Sequence, residues 1–319
     1  MAVFSYPKHS STINILWQSL TIFIKNPWSF LFTLLTLSST FILCLSNYLS
    51  TNTILTSLSH NYITFSKLNP KSPEFGKLFD ATLQNLRELT IIESIFIVAS
   101  FIVSSLLTTS IIHMISMVYT EKQPTLQELV CRTKKSWKPT MITILYVAIL
   151  SLTCGTLLLF LVGGFGLISV TSVAFGAASA VLALMALLLH LYLGMIWATS
   201  VAVAVLEEGC QGLAAVVRAA DLIRGRRRQG VLIALLMLVI FCAVGVAHAH
   251  VLSHCHPSAM EKIWIEIIHI AVLSVVQLFM LAACTAFYYA CKQNHEEMII
   301  SKGEVYYGLR TDTVDEEKA

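Results

Sequence analysis

Long apolar runs dominate the chain, and short polar or amphipathic segments separate them. A helix that crosses a bilayer needs about 20 mostly apolar residues. Six runs reach that length, at about 28–48, 90–119, 139–162, 168–206, 229–252 and 263–291. The pattern therefore predicts an all-α, polytopic membrane protein with six transmembrane helices.

The fourth run, 168–206, is longer than a bilayer requires. At about 1.5 Å per residue it greatly exceeds a hydrocarbon core of about 30 Å. It either tilts and protrudes from the bilayer or breaks near Gly176 into two helices. A break would add a seventh span and would move the arginine-rich segment 224–228 away from the other basic loops, so we expect six spans.

Three short segments that precede the first, third and fifth spans carry apolar residues at helical spacing. Their predicted apolar faces are Ile13, Leu16, Trp17, Leu20 and Ile24; Leu126, Leu129, Val130, Thr133 and Trp137; and Leu213, Val216, Val217, Ala220 and Ile223. Helices of this kind suit the membrane–water interface, and they also suit packing against the end of a bundle. The order of one amphipathic interfacial helix and two spans occurs three times along the chain. This order predicts a threefold helix-hairpin repeat.

Composition excludes most other classes of protein. Hydrophobic residues make up 56% of the 319 residues and charged residues only 12%, whereas about 25% of a soluble domain is charged. So few charges cannot cover the surface of a soluble fold of this size. A soluble enzyme, a nucleic-acid-binding module and a disordered protein are therefore excluded.

The positions of the charges predict the orientation. Under the six-span arrangement, 16 of the 21 Lys and Arg residues fall on one side. Basic loops face the cytosol, so both termini and the three amphipathic segments are predicted to be cytosolic. Residues 1–300 then form one six-span domain, and 301–319 form an acidic cytosolic tail, either a solvated end or a docking site for a cytosolic partner.

One long segment, about 49–89, lies on the other side. Its second half has helical spacing at Phe75, Leu78, Phe79, Thr82 and Leu86. We expect it to form a short lid helix that leads into the second span.

A cluster of histidines follows the fifth span. His248, His250, His254, Cys255 and His256 lie within nine residues, and His with Cys is a ligand set that zinc and copper favour. No distant Cys/His pair completes a four-ligand site, and histidines also suit a headgroup boundary without any ligand. Metal binding and a metal-free interfacial cluster both stay open, and the sequence predicts no cofactor.

Two further groups of residues are candidates for function. Titratable residues within the apolar runs are typical of transport pathways, and here they are His113, His190, His269, Glu93 and Glu266. The four arginines before the fifth span, Arg224, Arg226, Arg227 and Arg228, match the polybasic clusters that attract anionic lipid headgroups. The alternative is that the arginines only fix the orientation of the spans, because positively charged loops remain on the cytosolic side.

The segment around these arginines also carries a family resemblance. A span is followed by Leu206-Glu-Glu-Gly209, an alanine-rich amphipathic helix and Arg224-Gly-Arg226, and the last span closes with Phe287-Tyr-Tyr-Ala-Cys-Lys292. Over roughly 12–300 the chain resembles plant multipass membrane proteins of unknown function. More distantly, it is similar to the six-span domains that accompany some bacterial glycerophosphodiester phosphodiesterases. The activity of those enzymes lies in a separate soluble barrel, so the resemblance implies a fold and a membrane location and transfers no catalytic residue.

The expected function follows from these features. The sequence has no Ser/His/Asp grouping, phosphate-binding loop or HExxH motif, so we expect a non-enzymatic membrane protein with a role in membrane organisation, trafficking or lipid interaction. Its expected partners are the bilayer and anionic headgroups on the cytosolic face, and no nucleic acid. The alternatives are a small-solute or metal-ion transporter that uses the histidines within the spans, and a membrane adaptor for a cytosolic partner.

Overall fold

A computed structural model of the chain describes residues 12–25, 27–65, 72–120, 125–169, 173–254 and 259–316, and all regular structure within them is helical. Six of the helices are long and apolar enough to cross a membrane, which confirms the predicted all-α class and the number of spans. The eight helices of the described residues are α1 Thr12–Lys25, α2 Pro27–Phe65, α3 Pro73–Tyr119, α4 Leu126–Ser169, α5 Val173–Leu206, α6 Leu213–Ile223, α7 Arg227–His254 and α8 Ala259–Glu316.

The six long helices pack as three consecutive hairpins, α2 with α3, α4 with α5, and α7 with α8. The two short helices join them at one end: α1 packs on α8, and α6 packs on α5. A short helix therefore precedes the first and third hairpins, as the predicted repeat requires.

The second hairpin lacks a separate short helix, and here the prediction was wrong. Its amphipathic segment is continuous with the third span in α4, and the helix runs through Pro139. Proline removes one backbone hydrogen bond and usually kinks or ends a helix. In α4 the side chains before it, Leu129, Thr133 and Ser136, are buried, so tertiary packing holds the segment in line with the span.

The predicted lid helix is also not a separate element. α2 continues to Phe65, and α3 already begins at Pro73, so most of the segment 49–89 extends the first helical hairpin. Ser72 caps α3 by accepting a hydrogen bond from the Phe75 N–H at 3.2 Å. Across the hairpin, the Asn61 side-chain amide donates to the Thr82 hydroxyl at 3.2 Å. No glycine or proline interrupts 49–65, and its hydroxyl groups bond back to their own helix, as Thr56 does to the Asn52 carbonyl.

α5 is one helix of 34 residues that passes through Gly176 without a break, and its length of about 51 Å exceeds the bilayer core. The sixth span belongs to α8, which continues to Glu316. Residues 301–316 are therefore helical and continuous with the sixth span.

Buried side chains concentrate where α1 and α6 meet the long helices, and we call this region the packed end. One cluster joins Ile15 of α1, Val203 of α5, Ile223 of α6, Ile233 of α7 and Phe287 of α8. A second joins α2, α3, α4 and α8 through Phe32, Ile115, Leu129 and Leu278. Away from the packed end the helices expose large apolar side chains, among them Leu159, Phe160, Val181, Leu184 and Val246.

The exposed halves of the hairpins suit contact with lipid tails. Between α2 and α8 they leave a groove of 650 Å³ that is almost wholly apolar, lined by Leu31, Leu34, Leu35, Leu37, Ser38, Phe41, Ile267 and Ile270. The bundle is thus tightly packed at one end and open to an apolar medium along the rest of its length.

Helices α7 and α8 lie close together at Gly230 of α7. A Cβ atom added there would lie 3.2 Å from Cζ of Phe287 and 3.7 Å from Cβ of Met195. Gly230 therefore leaves no room for a larger side chain unless Phe287 moves.

We expect Gly230→Val to destabilise the protein by about 1–3 kcal/mol, because the new methyl groups would collide with the buried Phe287 ring. The matched control is Gly245→Val on the same helix, where an added Cβ meets no atom within 4 Å. Thermal unfolding of the full chain in detergent measures both. Equal unfolding midpoints for the two variants would contradict this account of the packed end.

Candidate functional site

The two faces of α6 differ in burial. Ala215, Ala219 and Leu222 are buried in the packed end, whereas Leu213 and Val217 are 58% and 55% exposed. The sequence assigned Leu213 and Val217 to an apolar face that suits either the membrane interface or the bundle, and their exposure favours the first of these positions. Alanines let α6 approach the bundle closely, while Leu213 and Val217 remain on the outer face.

α1 has the same arrangement. Ile15 and Ser19 are buried, whereas Ile13 and Trp17, which the pattern placed on the apolar face, are 76% and 68% exposed. In α1 the buried Ile15 and Ser19 lie two and six residues after the exposed Ile13. In α6 the buried Ala215 and Ala219 lie two and six residues after the exposed Leu213. The two helices therefore present equivalent faces to the bundle and equivalent apolar faces outward.

The first turns of α4 repeat this division. Leu129 and Thr133 are buried against the bundle, whereas Leu126 and Val130 are exposed. All three amphipathic segments thus carry a pair of exposed apolar side chains four residues apart, which places both members on one side of a helix.

The four arginines lie together where α6 ends and α7 begins. Arg224, Arg227 and Arg228 are exposed, and Arg226 is partly buried. Arg226 donates a hydrogen bond to the Gln229 side chain at 3.2 Å, and the Arg227 guanidinium lies 5.9 Å from the centre of the Tyr192 ring. Within the described part of the chain, Arg224 and Arg228 have no ion-pair partner.

The turn between α5 and α6 is built from two glycines and two glutamates. Gly209 and Gly212 have backbone φ angles of +85° and +57°, which residues other than glycine rarely adopt. The Gly212 N–H donates to the Thr143 hydroxyl at 2.8 Å. Lys135 donates to Glu208 at 2.6 Å, and this hydrogen bond and the lysine's charge lower the pKa of the Glu208 carboxyl below its ordinary value.

Glu207 makes the buried contacts of the turn. Its carboxylate accepts a hydrogen bond from the Tyr288 hydroxyl at 2.9 Å and another from Arg218 Nε at 3.2 Å. Glu207 and Arg218 thus form an ion pair across the turn. Tyr288 was not identified from the sequence, because nothing but the Phe-Tyr-Tyr motif distinguishes it from other aromatic residues.

Polar contacts also join α3 to its neighbours at the packed end. The His113 ring nitrogen Nε2 lies 2.6 Å from the Ser136 hydroxyl, and the Ser116 hydroxyl lies 2.6 Å from that of Tyr289. The ring of Tyr289 stacks on Tyr119 with centres 4.5 Å apart. His113 is therefore one part of the polar packing between α3 and α4.

The other predicted titratable residues lie elsewhere. The His190 ring contacts Trp197 edge-to-face at 5.7 Å. The amide of Asn47 lies 3.4 Å from both carboxylate oxygens of Glu93. His248 Nε2 lies 3.2 Å from Glu266, and its ring stacks on His269 at 3.9 Å.

The proposed metal ligands are only partly described. His248 and His250 lie on α7, which ends at His254, whose side chain is outside the described residues, as are Cys255 and His256. Among the residues that the structure describes, no three His, Cys, Asp or Glu side chains are arranged to hold a metal ion. His248 instead contacts Glu266 and His269 of α8.

We expect the Ser116–Tyr289 contact to stabilise the packed end. Ser116→Ala and Tyr289→Phe should each cost about 1–2 kcal/mol, since each leaves a polar partner without its bond. The double variant should cost much less than the sum of the two. Chemical unfolding of the four proteins gives the coupling energy, and additive losses would show that the two hydroxyl groups do not interact.

Comparison with known proteins gives a family and no named relative. No curated protein and no solved structure matches the chain significantly. One family profile, described as a domain of unknown function (DUF8558), matches residues 8–309. This range includes all six long helices and both short ones, except for the end of α8. The chain belongs to the DUF8558 family.

Proposed function

We propose that this protein is a non-enzymatic integral membrane protein whose packed end binds anionic lipid headgroups and organises the membrane around it. The observation that carries the proposal is the outer surface of α6 and its junction with α7. Exposed Leu213 and Val217 lie on α6, which leads into exposed Arg224, Arg227 and Arg228.

This combination of residues fits an interfacial position. An amphipathic helix lies in the headgroup region with its apolar side toward the acyl chains and its basic residues beside phosphates. Leu213, Val217 and Arg224 lie at spacings of four and seven residues, which places them along one stripe of the helix. α1 contributes Ile13 and Trp17 in the same way, and tryptophan is enriched at membrane interfaces.

The charge distribution supports the cytosolic side for this surface. The α6–α7 junction and the start of α4 carry most of the basic residues that adjoin the spans. The cytosolic leaflet is the anionic one, and each Lys or Arg near it contributes about 1 kcal/mol of attraction. We therefore place the packed end and both termini in the cytosol.

The alternatives have less support from the described residues. His113, His190 and His269 contact different neighbours, namely Ser136 of α4, Trp197 of α5 and His248 of α7. These contacts do not connect the three histidines into one path, as a transport role for all of them would require. The adaptor role and the resemblance to plant and phosphodiesterase-associated membrane proteins add no residue to the site.

The lipid preference is testable with the full chain in nanodiscs made from an equimolar mixture of phosphatidylcholine and phosphatidylserine. We expect native mass spectrometry to show preferential retention of phosphatidylserine. The triple variant Arg224→Gln/Arg227→Gln/Arg228→Gln should lower that preference about tenfold or more, because three headgroup attractions are lost.

A matched control removes three exposed charges from the opposite end, as Lys77→Gln/Arg87→Gln/Lys262→Gln. It should retain the preference of the original protein. Equal retention of both lipids by the original protein, or equal losses in the two triple variants, would refute binding at the α6–α7 junction.

The depth of α6 gives a second test. A spin-labelled amino acid introduced in place of Val217 should be more accessible to oxygen, which concentrates in the acyl region, than to a water-soluble nickel reagent. The same label in place of the exposed Glu208 should show the opposite order. Preferential access of the nickel reagent to position 217 would mean that α6 does not contact the bilayer.

A further inference from the structure

The turn between α5 and α6 is joined by side-chain contacts to three further elements. Glu207 binds Tyr288 of α8 and Arg218 of α6. Glu208 binds Lys135 at the start of α4, and the Gly212 N–H donates to Thr143 of the same helix. The position of α6 relative to the bundle is therefore set at this turn.

The two glutamates differ in their surroundings. The Glu207 side chain is 16% exposed, and its partner Tyr288 is 1% exposed. Glu208 and Lys135 are 83% and 73% exposed, and exposed ion pairs of this kind contribute little. A shielded carboxylate that loses a partner is costly, because water replaces the lost bond poorly.

Arg218 connects Glu207 to the rotation of α6 about its own axis. It lies between Val217, which is exposed, and Ala219, which is buried. Successive residues of a helix are turned by about 100°, so a rotation by one position would move Val217 toward the bundle. Holding Arg218 on Glu207 therefore determines which face of α6 points outward.

We infer that Glu207 is a positioning residue, which holds α6 through Arg218 and α8 through Tyr288 so that the apolar pair and the arginines face the membrane together. The inference rests on the proposed lipid-binding function. It deepens that proposal by naming the residue that controls the orientation of the binding surface.

The experiment compares Glu207→Gln and Tyr288→Phe with the control Glu208→Gln, all in the full chain in nanodiscs. Hydrogen exchange of the 213–223 amides should become about tenfold faster or more in the first two variants. Each variant weakens the Glu207 contacts that must break when α6 unfolds locally. Exchange in the control should stay within about twofold of the original protein. Exchange in the middle of α7 should not change in any variant.

The preference for phosphatidylserine is the second measurement. It should fall with Glu207→Gln and remain with Glu208→Gln, and Glu207→Asp, which keeps the charge, should retain more of it than Glu207→Gln. A purely structural role would loosen α6 and α7 alike and would overturn the inference, as would equal effects of Glu207→Gln and Glu208→Gln.

The two proposals fail in different ways. If the original protein prefers phosphatidylserine and Glu207→Gln changes neither exchange nor preference, the positioning role is wrong and lipid binding stands. If Glu207→Gln loosens α6 alone but the original protein has no lipid preference, the lipid proposal is wrong and the control of α6 by Glu207 stands.

Discussion

The packing of α6 into the end of the bundle is the interaction on which the rest of the structure depends. Ala215, Ala219 and Ile223 are fully buried in one cluster with residues of α1, α5, α7 and α8. Within a bilayer, apolar side chains gain little by leaving lipid for one another, so helices associate through close contact and hydrogen bonds. Both are found at the packed end, where small side chains permit the contact and the α5–α6 turn supplies the bonds.

The hydroxyl-bearing residues show how this end satisfies its polar groups. Most bond to a carbonyl of their own helix, as Thr109 does to Ser105 and Thr285 to Leu281. Some also reach across, among them Ser136 to His113 and Ser116 to Tyr289, which join α3 to α4 and to α8. These two cross-helix bonds lie in the same region as the small-residue contacts, and the two kinds of interaction reinforce each other there.

The number of spans could be predicted from the sequence because a bilayer imposes a minimum length on every apolar run. The packing faces of the short helices could not. The apolar faces that the pattern gives to α1 and α6 include Trp17 and Val217, which are exposed, and leave out Ser19 and Ala219, which are buried. A soluble protein would bury the larger residues, but a membrane surface solvates them, so hydropathy alone does not distinguish the two faces.

Other differences have the same origin. A short amphipathic helix was expected before the third span, yet this segment is part of α4, and burial of Leu129 and Thr133 keeps the helix continuous through Pro139. Among the site residues, the arginines of the α6–α7 junction could be predicted because like charges next to a span are conspicuous. Tyr288 could not, since its role depends on a carboxylate 81 residues away in the chain. Only 12% of the residues are charged. The shielded Glu207 therefore has few neighbours that could replace Arg218 or Tyr288 as its partner, and this is why the contact is informative.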